Sequence, residues 1–453
     1  MSIATPGSPG WHNDRGNALC DEFRFEEAIA EYRRAIELAP RFAEAYSNLG
    51  TALRDSGEID AAIYAYERAI EMRPDLAEAF NNLAITRRDK GELDEALRCC
   101  RQAIAIKPNY ADAISNLGVI LCDLERGDEA ITACRQAVEL QPNRAVVQNN
   151  LGMILLKLGQ YEEGWVRHEC RYLCDPRYPA RKLPKPRWDG SQLNGQTVLV
   201  HAEQGFGDTI QFVRYAPLIA ERGGKVVLEC QPELRRLFET LPNVQRVVTV
   251  GEALPDFNLH CPTMSLPFAF GTTIDSIPAA PYIRANEIRV EYWRQRLLTE
   301  APHIHDGPHK KKIGLVWAGK PTHTNDHNRS MKFSDIAPII CPGAIFYSLQ
   351  KGPAARQANG LIDYTSEFHD FAETAAFISN LDLVISVDTA VAHLAGAMGK
   401  PAWLLLPKVS EWRWMIGRPD SPWYPTMRLF RQEKWGDWTE PVKEIARLLC
   451  QGF

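Results

Sequence analysis

The stretch Ala43-Glu-Ala-Tyr-Ser-Asn-Leu-Gly50 returns 34 residues later as Ala77-Glu-Ala-Phe-Asn-Asn-Leu-Ala84, and again as Ala111-Asp-Ala-Ile-Ser-Asn-Leu-Gly118. A proline, an asparagine, a leucine and an alanine keep this spacing through four copies: Pro40, Pro74, Pro108 and Pro142; Asn48, Asn82, Asn116 and Asn150; Leu49, Leu83, Leu117 and Leu151; and Ala28, Ala62, Ala96 and Ala130. A fixed period of this length is the signature of stacked supersecondary units. The N-terminal part is therefore predicted to be an array of helical repeats.

A period of 34 residues is that of tetratricopeptide repeats, in which two antiparallel helices form each unit. Small alanines allow the helices to approach closely, aromatic side chains such as Tyr32 and Tyr66 fill the space between them, and each proline ends a unit. The sequence predicts about four repeats and a partial capping unit around residues 146–169. The repeats are accordingly assigned to residues 10–170.

The recurring asparagines are candidate acceptor-binding residues. Their side-chain amides both donate and accept hydrogen bonds, so they could hold an extended peptide backbone in a concave groove. In this respect they resemble the asparagine ladder in the repeats of O-linked N-acetylglucosamine transferases. The alternative is that each asparagine bonds locally within the stack. The sequence leaves both interpretations open for Asn48, Asn82, Asn116 and Asn150.

Composition excludes several classes of protein. The chain has 453 residues, of which 45% are hydrophobic and 24% charged, as in globular proteins with substantial cores. A formal charge of −5 provides no cationic field for nucleic acid. We expect neither a secretory signal nor a transmembrane segment, because the N-terminus is short and polar and no apolar run approaches 18 residues. Eleven scattered cysteines favour reduced thiols and a cytoplasmic location.

The helical periodicity stops in residues 171–194, which we predict to be a linker. Prolines and basic residues alternate there: Pro176, Arg177, Pro179, Arg181, Lys182, Pro184, Lys185, Pro186 and Arg187. The basic side chains either line a site or are solvated connector charges.

The first α/β region is predicted over residues 195–300. Residues 197–200 and 225–229 form strands, 203–208 a tight loop and 209–221 a helix, which together make a unit of a parallel sheet. Gly205 and Gly207 resemble part of a dinucleotide fingerprint, but Ile210 stands in place of the third glycine. A nicotinamide-dependent oxidoreductase is therefore a weak rival hypothesis.

Asp208 is the candidate catalytic residue. It lies where a helix begins, after two glycines and beyond a strand, and thus faces the crevice in which α/β proteins bind ligands. A carboxylate there could withdraw a proton from an acceptor hydroxyl. Aspartate is also among the best residues for capping a helix, so a purely structural role stays open.

The second α/β region is predicted over residues 305–453. After the strand at residues 312–318, a polar loop carries Lys320 and Arg329, two cations suited to a diphosphate or simply to water. The strand at residues 344–350 ends at Lys351 and Gly352, where a base or ribose could rest, and Gln350 and Lys351 are candidate donor-binding residues.

A third segment of this region, at residues 381–406, reads as strand, turn, helix and strand. Asp388 and Thr389 cap the helix, whose N-terminus at Ala390 offers free amides and a positive dipole to phosphate. His393, four residues beyond Thr389, either faces the cleft or packs between helices. The chain contains no Asp-x-Asp motif, so we expect neither a metal nor another cofactor.

The segments Glu203-Gln-Gly-Phe-Gly-Asp208 and Ser386-Val-Asp-Thr-Ala-Val-Ala-His-Leu-Ala-Gly-Ala397 together resemble the heptosyltransferase-like family, glycosyltransferase family nine, over residues 194–436. The segments Trp412-Arg-Trp414 and Ser421-Pro-Trp-Tyr-Pro425 also resemble those of bacterial proteins that join tetratricopeptide repeats to such a domain. The resemblance implies two facing Rossmann-like lobes of the GT-B type, an inverting mechanism and a nucleotide diphosphate in the C-terminal lobe. It implies that Asp208 is the catalytic base. It also implies that Asp388, Thr389 and Ala390 form the donor-binding turn, and that Lys320 or Arg329 is the cation that binds the phosphates.

The fold predicted from the sequence is thus an α-solenoid of tetratricopeptide repeats followed by a pair of α/β lobes. Trp412 and Arg413 are candidate acceptor-binding residues, because aromatic faces and guanidiniums stack on sugars, although they could also pack the domain. The functional hypothesis is a metal-independent glycosyltransferase that uses a nucleotide-diphosphate sugar and takes a protein, peptide or glycan acceptor through the repeats. The alternative is a non-catalytic adaptor whose α/β part senses a nucleotide.

Overall fold

The computed structural model describes residues 5–174, 179–300, 310–323, 325–358 and 360–451. The predictions for Pro176, Arg177 and the boundary at residues 301–305 lie outside the described residues. The chain divides into two compact units, Met1–Leu158 with Arg167–Pro179 and Gly159–Val166 with Ala180–Phe453.

The first unit is a stack of paired helices: α1 (Pro9–Asp21) and α2 (Phe25–Leu38), α3 (Ala43–Asp55) and α4 (Ile59–Met72), α5 (Ala77–Asp89) and α6 (Leu93–Ile106), α7 (Ala111–Asp123) and α8 (Gly127–Leu140), then α9 (Ala145–Lys157). The predicted solenoid is confirmed. The second helix of each pair ends two residues before a recurring proline, because proline lacks an N–H and disfavours the helical conformation of the residue before it.

Glycines set how closely the helices of a pair pack. A Cβ atom added to Gly16 would lie 2.5 Å from the ring of Tyr32, and one added to Gly50 would lie 2.8 Å from the ring of Tyr66. Both tyrosines are buried, so the aromatic fill predicted from the sequence depends on a facing residue without a side chain.

Helix α10 (Tyr161–His168) follows the repeats and is continued by a 3-10 turn at Glu169–Leu173. Its first residues belong to the second unit. Tyr161 and Trp165 are each 2% exposed. The Nε1 of Trp165 donates to the carbonyl of Thr272 at 2.9 Å, and the Nε1 of Trp423 donates to the Tyr161 hydroxyl at 3.2 Å.

The second unit contains two parallel sheets among the residues the structure describes. The first has the order β3-β2-β1-β4. Its strands are β1 (Thr197–His201), β2 (Lys225–Cys230), β3 (Val244–Thr249) and β4 (Leu259–Pro262), and its helices are α11 (Phe206–Phe212), α12 (Leu218–Glu221), α13 (Arg235–Phe238) and α14 (Leu266–Ala269). We call this part the N-lobe.

The second sheet, the centre of the C-lobe, has the order β10-β9-β8-β5-β6-β7 in the described part of the chain. Its strands are β5 (Lys311–Val316), β6 (Ala344–Ser348), β7 (Ile362–Asp363), β8 (Leu383–Val387), β9 (Ala402–Leu406) and β10 (Met427–Arg431). The helices are α15 (Glu287–Glu300), which packs on α18 (Phe371–Ser379), then α16 (Asp326–Arg329), α17 (Phe333–Ile336), α19 (Ala390–Ala397) and α20 (Thr439–Cys450). The predicted pair of α/β lobes is confirmed.

The helix predicted at residues 209–221 is wrong in both its start and its continuity. Helix α11 begins at Phe206, so Asp208 is its third residue rather than its cap. It ends at Phe212, a 3-10 turn follows at Val213–Tyr215, and α12 begins only after Pro217. Because proline cannot donate the N–H that a continuous helix requires at that position, the helix breaks there.

Part of the predicted linker is held against the N-lobe. Trp188 is buried, its N–H donates to the His260 carbonyl at 2.8 Å, and Arg187 pairs with His260 as a parallel bridge. The side chain of Arg181 forms an ion pair with the buried Glu229 at the end of β2. No helix in the described part of the chain is long and apolar enough to cross a membrane.

Candidate functional site

Two turns at the carboxyl ends of parallel strands form the candidate site. The first leads from β1 into α11 and contains Asp208, and the second leads from β8 into α19 and contains Asp388. Ligands of α/β proteins bind at this end of the strands. The two helices approach closely, because a Cβ atom on Gly207 would lie 2.9 Å from Cδ2 of His393 in α19.

Both carboxylate oxygens of Asp208 are engaged. Oδ2 accepts the backbone N–H of Gly205 at 3.1 Å, which closes the first turn of α11. Oδ1 is paired with Nη2 of Arg413, a residue of the C-lobe. Asp208 therefore has a structural role, as the third residue of a capping box rather than as the cap itself, and its side chain also contacts the turn that contains Arg413.

Arg413 joins the two lobes. Its Nε donates to Oε1 of Gln211 at 2.7 Å, and its side chain is largely buried. Burial alone would lower the pKa of this guanidinium, but the nearby carboxylates, Asp208 foremost and then Glu411, raise it above its usual range. Arg413 thus stays protonated, and its positive charge lies between the predicted base and the predicted donor turn.

Asp388 lies 7% exposed at the end of β8. Its Oδ2 accepts the Nε1–H of Trp414 at 2.8 Å. Burial raises the pKa of this carboxyl above its usual value, although the bond from Trp414 acts in the opposite direction. Since Trp414 follows Arg413 in the 3-10 turn Trp412–Trp414, one short segment contacts both aspartates.

His393 is buried inside this network, as the packing interpretation predicts. Nδ1 lies 2.9 Å from the Tyr424 hydroxyl, and Nε2 lies 3.7 Å from Oδ1 of Asp388. Burial holds the pKa of the ring well below its ordinary value, and the charge of Arg413 lowers it further. The neutral ring packs against Trp414 with 5.3 Å between ring centroids.

The N-terminus of α19 faces the same turn. In the described residues no side chain caps it, and Thr389, at the cap position, instead contacts the Ser386 hydroxyl at 3.0 Å. The first amides of the helix, beginning at Ala390, are therefore open to an anion. The guanidiniums of Arg329 and Arg413, whose charges act on Asp388, add positive charge near this helix end.

Arg329 and Lys320, the two cations of the loop after β5, differ in burial and in surroundings. Arg329 contributes to the electrostatic environment of both Asp388 and His393, and its Nε is buried without a hydrogen-bond partner among the described residues. Asp326 lies 3.6 Å from the same Nε. Lys320 is exposed at the outer part of the loop. A phosphate contact by either cation stays a prediction.

The predicted base or ribose contacts after β6 are occupied by the protein itself. Gln350 is 2% exposed, and its amide bonds to the N–H groups of Trp317 and Ala318 and to the carbonyls of Ala318 and Lys351. The ammonium of Lys351 donates to the Phe368 carbonyl. Both side chains hold loops at the edge of the sheet, so a direct ligand contact would require them to give up these bonds.

Trp412 packs the domain rather than presenting a face to solvent. It is 2% exposed and lies among Trp165, Phe212 and Trp423, with 5.3 Å between its ring centroid and that of Trp165. Trp412 therefore has the packing role that the sequence left open, whereas its neighbour Arg413 pairs with Asp208.

The recurring asparagines bond within the repeats, as their local interpretation predicts. Their side-chain N–H groups donate to residues one repeat earlier: Asn48 to Asn13 at 3.0 Å, Asn116 to Asn81 at 2.9 Å and Asn150 to Ser115 at 3.0 Å, while Asn82 accepts from Asn81 at 3.3 Å. One bond uses only part of the capacity of an amide, which has two N–H groups and a carbonyl oxygen. Binding of a peptide by these side chains stays a prediction.

Sequence reasoning missed Gln211, Trp414 and Tyr424 as members of the site. Trp414 and Tyr424 lay in quoted motifs, but their contacts with Asp388 and His393 come from residues distant in sequence, which no local pattern reveals. Among the described residues, no group of three or more His, Cys, Asp or Glu side chains is arranged to hold a metal ion.

Models of two kinds of known family, the tetratricopeptide repeats and a glycosyltransferase family, match parts of this chain. Residues 16–53 and 50–87 match a model described as TPR repeat, and residues 77–110, 111–141 and 133–165 match models of the tetratricopeptide repeat. Residues 369–414 match the model of glycosyltransferase family 9 (heptosyltransferase). The latter match contains Asp388, α19 and Arg413, and Asp208 lies outside it. The predicted tetratricopeptide repeats are confirmed, and so is the resemblance to glycosyltransferase family 9, over residues 369–414.

Among curated proteins, the chain is similar to Protein FlbA of Caulobacter vibrioides, with 28% identity over 326 residues that cover 64% of this chain and 53% of FlbA. The chain thus spans about half the length of this relative. Among solved structures it is similar to MamA, with 23% identity, a TM-score of 0.30 and coverage of 34% of this chain and 91% of that chain. A thermophilic TPR protein of Thermus thermophilus gives 20% identity, a TM-score of 0.35 and coverage of 38% and 93%.

Proposed function

We propose that the second unit is an inverting glycosyltransferase that moves a sugar from a nucleotide-diphosphate donor to an acceptor hydroxyl. The observation on which the proposal rests is the convergence of two turns: adjacent residues, Arg413 and Trp414, bond to Asp208 of one lobe and to Asp388 of the other. The match to glycosyltransferase family 9 supports the donor side of this arrangement.

The proposed reaction needs one base and one anion site. Asp208 takes the proton of the acceptor hydroxyl as that oxygen forms a bond to the anomeric carbon. The bond from that carbon to the phosphate oxygen breaks on the opposite face, and the nucleotide diphosphate leaves with the electron pair, which inverts the configuration. Arg329 and the N-terminus of α19 stabilise the developing charge, so we propose that no metal is required.

We propose further that the repeats recruit the acceptor. Stacked repeats form extended surfaces suited to binding proteins. A protein or peptide is therefore the acceptor we favour, and a glycan brought by a partner of the repeats is the second possibility. The eleven cysteines are scattered through the sequence without regular pairing, which supports a cytoplasmic location for the reaction.

The first test is a thermal-shift and calorimetric screen of the full chain against ADP-, GDP-, UDP-, CMP- and dTDP-sugars, with nicotinamide cofactors as controls. We expect saturable binding of one nucleotide class that weakens at least about tenfold in an Asp388→Ala variant. Failure of every nucleotide sugar with folded protein would contradict a donor site and leave the repeats as the functional part, as in an adaptor.

The second test uses the donor identified by the screen. Asp208→Asn keeps the side chain's shape and its bond to Gly205 but removes the base, so transfer should fall by about 100-fold or more while donor affinity is not lost. Unchanged transfer would remove Asp208 as the base. Full activity in excess EDTA is the outcome expected for metal-independent chemistry.

A further inference from the structure

The contacts of Arg413 pose a conflict with the proposed chemistry. A general base must bring an oxygen within hydrogen-bond reach of the hydroxyl that it deprotonates. Oδ2 of Asp208 accepts the N–H of Gly205, and Oδ1 is paired with Arg413. The bond to Gly205 is part of the turn that holds Asp208 in place. The partner that can leave is therefore Arg413, which comes from the other lobe.

The surroundings of Arg413 indicate where its guanidinium can go. Trp414, the next residue in the same 3-10 turn, is bonded to Asp388 at 2.8 Å, so this turn adjoins the donor side. Arg413 also lowers the pKa of the buried His393 on α19, which shows that its charge is felt at that helix. Guanidinium groups bind phosphates with two parallel hydrogen bonds, in a way that matches their binding of carboxylates.

We propose that Arg413 is a ligand of the donor's phosphates, and that in the absence of donor it holds Asp208. The proposal rests on the proposed function and deepens it. When the donor enters, the guanidinium exchanges the carboxylate of Asp208 for phosphate oxygens, with no covalent bond made or broken. Oδ1 of Asp208 then accepts the acceptor hydroxyl. The exchange makes activation of the base dependent on donor binding, so the donor binds first and water is not activated in its absence.

Competition for one guanidinium has a signature that a merely structural arginine lacks. Removing the competitor, in Asp208→Asn, should strengthen phosphate binding, whereas removing the guanidinium, in Arg413→Gln, should weaken it. In the double variant the gain from Asp208→Asn should vanish, because the two residues act through one contact. A general change in charge near the site would leave that gain in place.

The experiment is isothermal titration of the full chain with inorganic pyrophosphate and with ADP, GDP, UDP and dTDP. We expect Asp208→Asn to tighten binding about three- to tenfold and Arg413→Gln to weaken it about tenfold or more, as for loss of a charge-assisted contact. Glu411→Gln is the matched control, since its carboxylate lies 3.8 Å from Nη1 of Arg413 and carries the same charge without pairing as closely. It should change affinity less than twofold.

The possible outcomes distinguish failure of the proposed role of Arg413 from failure of the proposed donor site. Binding that weakens in Thr389→Val but does not tighten in Asp208→Asn overturns the role of Arg413 and leaves the donor site standing. Equal tightening in Asp208→Asn and Glu411→Gln also overturns it, because charge alone would then explain the gain. Absence of any diphosphate or pyrophosphate binding overturns both. If Arg413→Gln does not fold, as judged by circular dichroism, Arg413→Lys and the comparison of Asp208→Asn with Glu411→Gln decide.

Discussion

A glycine at position 207 lets helices from the two lobes touch. A methyl group there would lie 2.9 Å from Cδ2 of His393, a buried ring held by Tyr424. We expect Gly207→Ala to destabilise the protein by about 1–3 kcal/mol, because the ring cannot move aside without losing its bond. Urea denaturation measures the change. Gly343→Ala, where nothing lies within 4 Å of the added atom, is the control and should have little effect; equal effects would contradict the packing argument.

Asp388 is expected to weaken the fold at neutral pH. Burial raises its pKa above the ordinary value of 3.8, so the folded protein holds the proton more tightly than the unfolded chain. The stability that Asp388 contributes is present in full below the unfolded pKa and is lost as the pH rises through the folded pKa. Asp388→Asn keeps an oxygen that accepts from Trp414 and carries no charge.

The variant should therefore be more stable than the unsubstituted protein at about pH 8, with a difference that shrinks towards about pH 4. Chemical denaturation at intervals across that range gives the profile. Asp256→Asn, at an exposed loop position, is the control and should show no such trend. A constant difference across the range would show that the charge of Asp388 is not the cause.

At the scale of elements, the apolar runs of the sequence were enough to predict most strands. The runs at residues 197–200, 225–229 and 344–350 became β1, β2 and β6 to within a residue or two. The apolar residues at helical spacing predict one continuous helix over residues 209–221, but Pro217 interrupts it. Strand β10 has only five residues and no regular alternation of burial, since Leu429 and Phe430 are both buried, so its sequence cannot be distinguished from a loop.

Helix α15 is fastened to α18 by one buried carboxylate. Glu373 is 4% exposed and accepts from Nε and Nη2 of Arg289 at 2.8 and 2.9 Å, and from Nε1 of Trp293 at 3.0 Å. Burial alone would raise the pKa of Glu373, but these bonds lower it below its usual value. The carboxylate therefore stabilises the fold at neutral pH, and this contribution is lost as the pH falls through the lowered pKa.

We expect Glu373→Ala to cost about 2–4 kcal/mol, because it leaves the indole N–H and a guanidinium without their acceptor. Hydrogen exchange should rise first in α15. Glu291→Ala removes an exposed pair with Arg294 on the same helix, and should leave stability nearly unchanged because solvent screens such pairs. Comparable losses from both variants would argue against a special role for the buried carboxylate.

At the scale of the molecule, periodicity in the sequence specified the repeats because each unit contacts mainly its neighbours, so the same local rules recur. The site is different. Asp208 and Asp388 could be found from strand, turn and helix patterns, but their partners Arg413 and Trp414 come from a segment far along the chain. The contact of Asp208 with Arg413 depends on how the two lobes pack, and that of Asp388 with Trp414 depends on how the C-lobe folds back on itself; no local pattern encodes either.

The end of the repeats belongs in part to the second unit, and this has a measurable consequence. Trp165 is 2% exposed, lies among Trp412, Trp423 and Phe212, and donates to the Thr272 carbonyl. Trp165→Ala should therefore cost about 3–5 kcal/mol, as for loss of a buried indole. Because stacked repeats depend mostly on their neighbours, the loss should not spread to α3 and α4.

Hydrogen exchange on the full chain tests this distribution. Protection should fall in α11 and at residues 412–424, which pack on the indole, and stay unchanged in α3 and α4. Val166→Ala, at a neighbouring position that is 54% exposed, is the control and should leave both regions as they are. If protection fell equally in α3 and α4, α10 would be part of the repeat stack. If it fell nowhere, the indole would not support the second unit. The expected pattern would mean that the loop containing Arg413 depends on Trp165, so a stable fragment of the second unit must include Gly159–Val166.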